Sequence, residues 1–194
     1  MGLGLAGCGT HRVPLAYNAA ATVEKPAAAA QTIELTGVTD ARKYTGTRLG
    51  AVRGGYGNPA ITIETTEPVQ AIVRKAFSDG LAARGMLATA SAAPYGLDVK
   101  VERLDCSQLV RQEAHARFQL TLVDKATGQV VYDKTVENNR TGMARYSETE
   151  NVNWVDELRA MTNDSLQASV DQALDNPLLH SVAARPAGTS PVRK

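Results

Sequence analysis

Residues 114–123 read Ala-His-Ala-Arg-Phe-Gln-Leu-Thr-Leu-Val, and this stretch decides the fold. Apolar and polar residues alternate along it, which is typical of a β-strand with one buried face and one wet face. Residues 124–128 (Asp-Lys-Ala-Thr-Gly) then have the composition of a tight turn, and residues 129–138 return as a partner strand. Because sheets with one apolar and one polar face are commonly antiparallel, the sequence predicts an antiparallel sheet that is covered on one side.

Two helices are predicted to cover the apolar face of that sheet. In the first, apolar residues recur at helical spacing between Pro68, which suits a first turn, and Gly85, which suits a stop. The second runs over about residues 153–175, with Asn153 as a candidate cap and Pro177 just beyond its end. The apolar positions are Val69, Ile72, Val73, Ala76, Phe77 and Leu81 in the first helix, and Val155, Leu158, Met161, Leu166, Val170 and Leu174 in the second.

Shorter patterns supply the remaining strands. Residues 32–38 alternate as a strand, and residues 49–52 and 60–65 flank a glycine-rich passage as a hairpin with a wide loop. Residues 97–101 alternate again, and the apolar positions shift parity near Arg103, which indicates a bulge. The element order predicts an α+β fold: a two-layer sandwich in which an antiparallel sheet of four to five strands carries two helices on one face.

Length and charge restrict the class of protein. The 194 residues fit one domain, which we place at residues 32–180, with tails on both sides. The formal net charge is only +1, so the composition gives no basic footprint for nucleic acid. No run approaches the ~20 apolar residues that span a bilayer.

The N-terminus has features of a targeting signal. Leu5-Ala6-Gly7-Cys8 resembles the lipobox of bacterial lipoproteins, in which the signal peptide is cut just before a cysteine that carries the lipid. We therefore interpret residues 1–8 as a truncated lipoprotein signal and Cys8 as the lipid attachment site through which the domain reaches a membrane. The alternative is that Cys8 is a free thiol in a flexible tail.

The segments outside the predicted domain are poor in large apolar side chains. Residues 9–31 are rich in Ala and Pro and are predicted to form a disordered tether, with an r.m.s. reach of roughly 25 Å that would hold the domain clear of the lipid headgroups. Residues 181–194 contain two prolines and a glycine and are predicted to be a disordered tail.

Residues that commonly carry catalysis or bind metal are few and scattered. His115 lies on the polar face of its strand, where a surface histidine is favoured, and His11 and His180 fall in the predicted tails or near them. Cys106 follows an apolar strand, so a buried, unreactive thiol is favoured over a nucleophile. Asp98, Glu102 and Asp105 share a region, but charges that alternate with apolar residues usually form a wet strand face. We therefore predict no catalytic residue, no metal site and no cofactor.

One glycine-rich passage is a candidate for function. It lacks the Gly-Lys-Ser/Thr ending of a P-loop and does not match the dinucleotide-binding pattern, so its glycines are interpreted as allowing a turn with positive φ. Loops on rigid scaffolds commonly carry function, and the alternative is a loop whose arginine and tyrosine contact a partner. The residues of this possible partner-binding loop are Arg53, Gly54, Gly55, Tyr56, Gly57 and Asn58.

With the lipobox, the linker and the element order together, the chain resembles the YajG family of uncharacterised bacterial envelope lipoproteins over most of residues 31–180. The points of resemblance are the helix ending Leu81-Ala82-Ala83-Arg84-Gly85, the alternating strands after it and the C-terminal amphipathic helix. The resemblance implies no catalytic residues, because that family has none assigned. It also implies sorting to the outer membrane, with the domain in the periplasm, because the residue after the lipid cysteine is Gly9 rather than Asp.

These observations predict a non-enzymatic, membrane-anchored lipoprotein that acts as a binding or adaptor module for another component of the cell envelope. The alternative is an accessory subunit of an envelope lipid-transport system of the ABC type, a role found among similar lipoproteins. A hydrolase is a third hypothesis, for which His115 would have to meet a carboxylate and a hydroxyl in a pocket. Exposed edge strands would also allow a homodimer.

Overall fold

The computed structural model describes residues 9–21, 31–54, 56–90, 93–143 and 154–184. Within these ranges it contains seven strands, three α-helices and a short 3-10 helix at Ala19–Ala21. The strands are β1 (Gly9–Val13), β2 (Ile33–Asp40), β3 (Arg48–Arg53), β4 (Pro59–Thr65), β5 (Tyr95–Gln108), β6 (Arg111–Asp124) and β7 (Val130–Met143). The helices are α1 (Val69–Ala83), α2 (Trp154–Leu174) and α3 (Pro177–Ala183).

All seven strands belong to one mixed sheet, in the order β1-β4-β3-β5-β6-β7, with β2 also paired to β5. The pairs β3/β4, β5/β6 and β6/β7 are antiparallel, whereas β1/β4, β2/β5 and β3/β5 are parallel. The α+β class is confirmed, but the predicted antiparallel sheet of four to five strands is wrong in strand number and in direction. The physical reason is that side-chain alternation reports which face of a strand is buried and carries no information about strand direction.

The predicted hairpins and the predicted core face are confirmed. The apolar residues at every second position of β6, from Ala114 to Leu122, are fully buried, and the ring of Phe118 meets that of Phe77 on α1 edge-to-face, with centroids 5.7 Å apart. Gly128 closes the β6–β7 turn at φ +69°, a conformation that glycine adopts without strain. The pairing of β5 with β6 shifts register between Val101 and Arg103, where the change of parity indicated a bulge.

The helices agree with the sequence in position but not in number. Helix α1 stops just before Gly85, which has φ +67°. Helix α2 ends at Leu174 as predicted, while its candidate cap, Asn153, lies outside the described residues. A third helix then begins at Pro177, capped by the side chain of Asn176, so residues 181–183 are helical rather than part of a disordered tail. Residues 185–194 of that predicted tail lie outside the described residues.

The N-terminal segment is built into the fold. Strand β1 pairs with β4 along five residues, and Leu15 is buried in the core. Asn18 exchanges hydrogen bonds with the side chain of Gln167 on α2, at 2.8 and 3.1 Å. The predicted disordered tether is therefore wrong for residues 9–21, because strand pairing and side chains of α2 supply the contacts that the segment's own composition lacks. Residues 22–30 lie outside the described residues.

A buried arginine joins this segment to both long helices. Arg84, just after α1, donates to both carboxylate oxygens of Asp175 at 2.7 and 2.9 Å and to Asp171 at 3.0 Å. It also donates to the hydroxyl oxygen of Tyr17 at 3.1 Å, and that hydroxyl donates in turn to Asp171 at 2.6 Å. Burial alone would lower the pKa of Arg84, but hydrogen bonds with Asp175 and Tyr17 outweigh it and raise the pKa above its ordinary value. The network therefore fixes the N-terminal segment against α1 and α2.

Candidate functional site

Four chain segments meet at one end of the sheet. The register places Gly9, the first residue of β1, beside Ile61 near the start of β4. The β3–β4 loop, the β5–β6 hairpin at residues 109–110 and the last residue of β7, Met143, lie at this same end. We call it the Gly9 end. It is where the chain that carries Cys8 joins the domain.

The candidate partner-binding loop, residues 53–58, is compact. The amide of Gly54 donates to the carbonyl of Asn58 at 2.9 Å, and the amide of Gly57 donates to the carbonyl of Gly54 at 2.8 Å. Gly57 has φ +79°, as expected for a glycine that permits the turn, and Arg53 donates to its carbonyl at 3.0 Å. Tyr56 projects from this turn and is 99% exposed. Gly55 lies outside the described residues.

The Gly9 end is rich in exposed apolar side chains. Among the described residues seven large apolar side chains are exposed, and four of them lie here. Beside Tyr56 these are Leu109, Val110 and Met143, which are 42%, 77% and 88% exposed. Scattered exposed apolar residues are normal on proteins, but a group around one end indicates a contact surface.

An apolar cleft of about 280 Å³ opens at the Gly9 end, between the β3–β4 hairpin, the end of β5 and the start of α2. Its walls are largely aliphatic and aromatic, and the indole nitrogen of Trp154 is buried in the described structure without a hydrogen-bond partner. The residues that define it include Val52, Arg53, Ala60, Ile61, Leu109 and Trp154.

A second hollow lies where β5 changes its neighbour. Strand β2 pairs with β5 from Tyr95 to Val101, and β3 pairs with it only from Cys106 to Gln108. Arg42 fills the gap: its guanidinium donates to the carbonyls of Arg48 and Leu104 at 2.8 and 2.9 Å.

An acidic partner holds that arginine in place. Asp40 accepts from Arg42 at 2.8 and 2.9 Å, and both side chains are buried. Burial alone would raise the pKa of Asp40, but the hydrogen bonds and charge of Arg42 lower it. Arg42 thus satisfies the two strand carbonyls that accept its hydrogen bonds at the gap between β2 and β3, and it makes the gap rigid.

The resulting β2–β3 notch has a volume of about 370 Å³ and is bordered by the polar side chains of β5. The ring of Tyr44 lines it and has two cations near its face, with the Nζ of Lys43 at 5.4 Å and the Cζ of Arg48 at 4.8 Å from the ring centroid. Of the charged side chains that line the notch, five are basic and two are acidic. Lys43 and Arg48 form no salt bridge within the described part of the chain, so the notch presents positive charge.

The candidate catalytic side chains do not converge on one site. His115 faces the polar side of the sheet as predicted, but it is half-buried, and burial and the charge of Arg103 lower its pKa. Glu102 pairs with Lys100 and Arg117, Asp105 pairs with Arg103, and Asp98 accepts from Thr36. Over the described ranges no three His, Cys, Asp or Glu residues are grouped closely enough to hold a metal ion.

The thiol of Cys106 is buried, as predicted. It belongs to the hydrophobic core, and burial raises its pKa to about 12. A thiol with so high a pKa contains almost no thiolate at neutral pH and is a poor nucleophile.

Sequence reasoning found the β3–β4 loop but missed its neighbours at the Gly9 end. Leu109, Val110 and Trp154 were not singled out. A signal was present for the first two, because two adjacent apolar residues between strands occupy a position where turn residues are usually polar.

The fold and this end of the molecule define a class: an α+β domain with a mixed sheet, whose first described strand begins one residue after a lipobox-like cysteine, as in an envelope lipoprotein. The chain belongs to the family described as "Uncharacterized lipoprotein", whose profile matches residues 19–181. Its members are membrane-anchored proteins of the cell envelope. No curated protein matches the chain. Over the described ranges, none of the helices combines the length and the apolar character needed to cross a bilayer.

Two solved structures show the same fold. Protein XCC0632 from Xanthomonas campestris is 15% identical and superposes with a TM-score of 0.62. The alignment covers 89% of this chain and 96% of that one. The hypothetical protein CT253 from Chlamydia trachomatis is 10% identical and superposes with a TM-score of 0.53. The alignment covers 80% of this chain and 99% of that one. At these identities the likeness concerns the fold alone.

Proposed function

We propose that this lipoprotein is attached to the outer membrane through a lipid on Cys8 and acts, without catalysis, as a binding or adaptor module for another envelope component. Within its family we propose a YajG-like member. The observation that carries the binding role is the β2–β3 notch, a concave, positively charged surface on rigid strands. The family and the lipobox-like residues before Cys8 support the anchoring.

The chemistry of the notch favours a protein partner with an acidic surface. Tyr44 is exposed and stacked by Arg48 and Lys43, and tyrosine and arginine are the residue types that most often dominate binding energy at protein interfaces. The hydrogen bonds of Arg42 hold the surrounding backbone in one conformation. A surface that is already ordered loses little entropy when a partner binds.

The apolar cleft favours the second candidate, an accessory subunit of an envelope lipid-transport system. A helix and a sheet form its walls, as a site for an acyl chain would require. Its volume of about 280 Å³ is at the lower limit of ordinary ligand pockets, which start at roughly 300 Å³. It therefore has room for part of an acyl chain or for one large apolar side chain of a partner.

Crosslinking in intact cells tests the leading proposal. The gene is expressed with a complete lipoprotein signal, and partners are recovered from wild type, Cys8→Ser, the pair Tyr44→Ala/Arg48→Ala, and Arg74→Ala. Arg74 is an exposed basic residue of α1 outside the notch and serves as the matched control. We expect a partner that Arg74→Ala retains and that both of the other variants lose.

The outcomes separate the candidates. Recovery that is unaffected by Tyr44→Ala/Arg48→Ala would exclude the notch as the binding site. Copurified lipid that is lost in an Ile61→Trp variant, in which the cleft is filled, would favour the transport subunit instead. Mass spectrometry of the envelope protein shows directly whether Cys8 carries lipid, and an unmodified Cys8 would overturn the anchoring.

A further inference from the structure

We propose that the Gly9 end lies directly on the phospholipid bilayer, with the side chains of Tyr56, Leu109, Val110 and Met143 in the interface. The inference rests on the proposed lipid at Cys8 and identifies the partner of the β3–β4 loop as the membrane surface itself. The domain then has a fixed orientation on the membrane rather than moving freely on a tether.

The length of chain between the anchor and the fold leaves little freedom. Cys8 immediately precedes Gly9, the first residue of β1, and adjacent Cα atoms in a polypeptide are about 3.8 Å apart. Strand β1 is held by five paired residues of β4, its last residue Val13 is buried, and Leu15 just beyond the strand is buried as well. A lipid on Cys8 therefore brings the Gly9 end to the headgroup layer, without the long spacer that the sequence predicted over residues 9–31.

The side chains at this end match the chemistry of that layer. Val110 and Met143 are largely exposed apolar groups, and their transfer out of water is favourable. Tyr56 adds an aromatic ring with a polar tip, the type of residue that is enriched at membrane–water interfaces. Arg53 and Arg111 are exposed beside them, with Arg111 in an ion pair with Glu113, and both would lie at the level of the lipid phosphates.

A control for ordinary surface exposure lies at the opposite end of the same sheet. The opposite end of the β6–β7 hairpin carries Val130, which is also exposed, at 57%. Val130 lies close to the polar turn at residues 124–128. In that turn the backbone amides of Ala126 and Thr127 donate hydrogen bonds to the carboxylate of Asp124. Val130 is therefore a matched control: the same residue type in the same sheet, at the end that would point away from the membrane.

The test attaches the full chain chemically to vesicles through Cys8. Cys106 is buried and protonated, so a maleimide-bearing phospholipid in vesicles of phosphatidylethanolamine and phosphatidylglycerol couples to the native protein at Cys8. Hydrogen–deuterium exchange is then compared with that of protein coupled to a water-soluble maleimide. We expect the amides of residues 54–57 and 109–111 to exchange about tenfold more slowly on vesicles, with no change at residues 125–130.

Substitutions then locate the contact. The triple variant Tyr56→Ser, Val110→Ser, Met143→Ser should lose the slowing on vesicles, whereas Val130→Ser should retain it. All four side chains are exposed, so these variants keep the core intact. The proposal would be overturned if attachment to vesicles changed exchange equally at the two ends of the sheet. It would also be overturned if the slowing on vesicles survived the triple substitution.

Chemical attachment of the lipid at Cys8 allows this inference to be tested independently of the proposed function. Because the lipid is supplied chemically, the exchange experiment does not depend on whether cells modify Cys8. An unmodified Cys8 in the envelope overturns the anchoring even if the vesicle result is positive. A negative vesicle result with a lipidated Cys8 overturns only the orientation on the bilayer.

Discussion

Replacing Arg84 by methionine should destabilise the protein by about 3 kcal/mol. The side chain is 4% exposed and donates to Asp175, Asp171, Tyr17 and the backbone of the preceding turn. Loss of one partner of a buried ion pair costs about 3–5 kcal/mol, chiefly because the other charge remains buried. Here the lower limit applies, because the Asp175 side chain is 56% exposed and can be hydrated again.

The remaining carboxylate also keeps other donors. Asp171 still accepts from Tyr17 at 2.6 Å and from Gln167 at 3.0 Å after Arg84 is removed. Methionine conserves most of the buried volume, so a large cavity term is not expected. For a protein of this size, about 3 kcal/mol corresponds to a fall in Tm of roughly 6–12 °C.

Urea unfolding followed by far-ultraviolet circular dichroism measures the change. The midpoint should fall while the m-value stays constant, since the folded state remains compact. Arg74→Met, at an exposed position of α1, should change stability by less than about 0.5 kcal/mol. A loss of under about 1 kcal/mol for Arg84→Met would refute the reasoning that the network stabilises the fold.

Three further predictions follow from individual contacts. Gly50→Ala should cost about 3 kcal/mol in urea unfolding, because a Cβ there would lie 1.8 Å from the carbonyl oxygen of Cys106, whereas Gly54→Ala has no close contact and should be nearly neutral. In a Cys8→Ser background, Cys106 should not react with a thiol reagent at pH 8 until the protein unfolds, and fast native reaction would contradict its burial. His115 should titrate below pH 6.5 by NMR, since burial and Arg103 lower its pKa. The unfolded state then binds more protons, so stability should fall as the pH drops from 6.5 through the folded pKa, and His115→Gln should flatten that slope.

The sequence determined the parts of this protein that depend on local periodicity. Residues 114–138 form the predicted hairpin with the predicted face buried, because alternation every two residues directly reports which side of a strand meets the core. Helix α1 ends at Ala83, two residues before Gly85, because a glycine with positive φ is a local stop signal. The candidate loop at residues 53–58 could also be predicted, because a cluster of glycines is a local sequence pattern that does not depend on tertiary contacts.

Only the tertiary structure decided how distant segments pair. Residues 9–13 form a strand because β4 offers an open edge, and β5 is shared by β2 and β3 because Arg42 satisfies the carbonyl of Leu104 between them. The hydrogen bonds between strands join backbone groups that nearly every residue possesses, so the pattern of side chains does not predict which strands pair. The group of exposed apolar residues at the Gly9 end depends on the same pairings, because strand direction and register alone bring together a loop, a hairpin and a strand end that lie far apart in the chain.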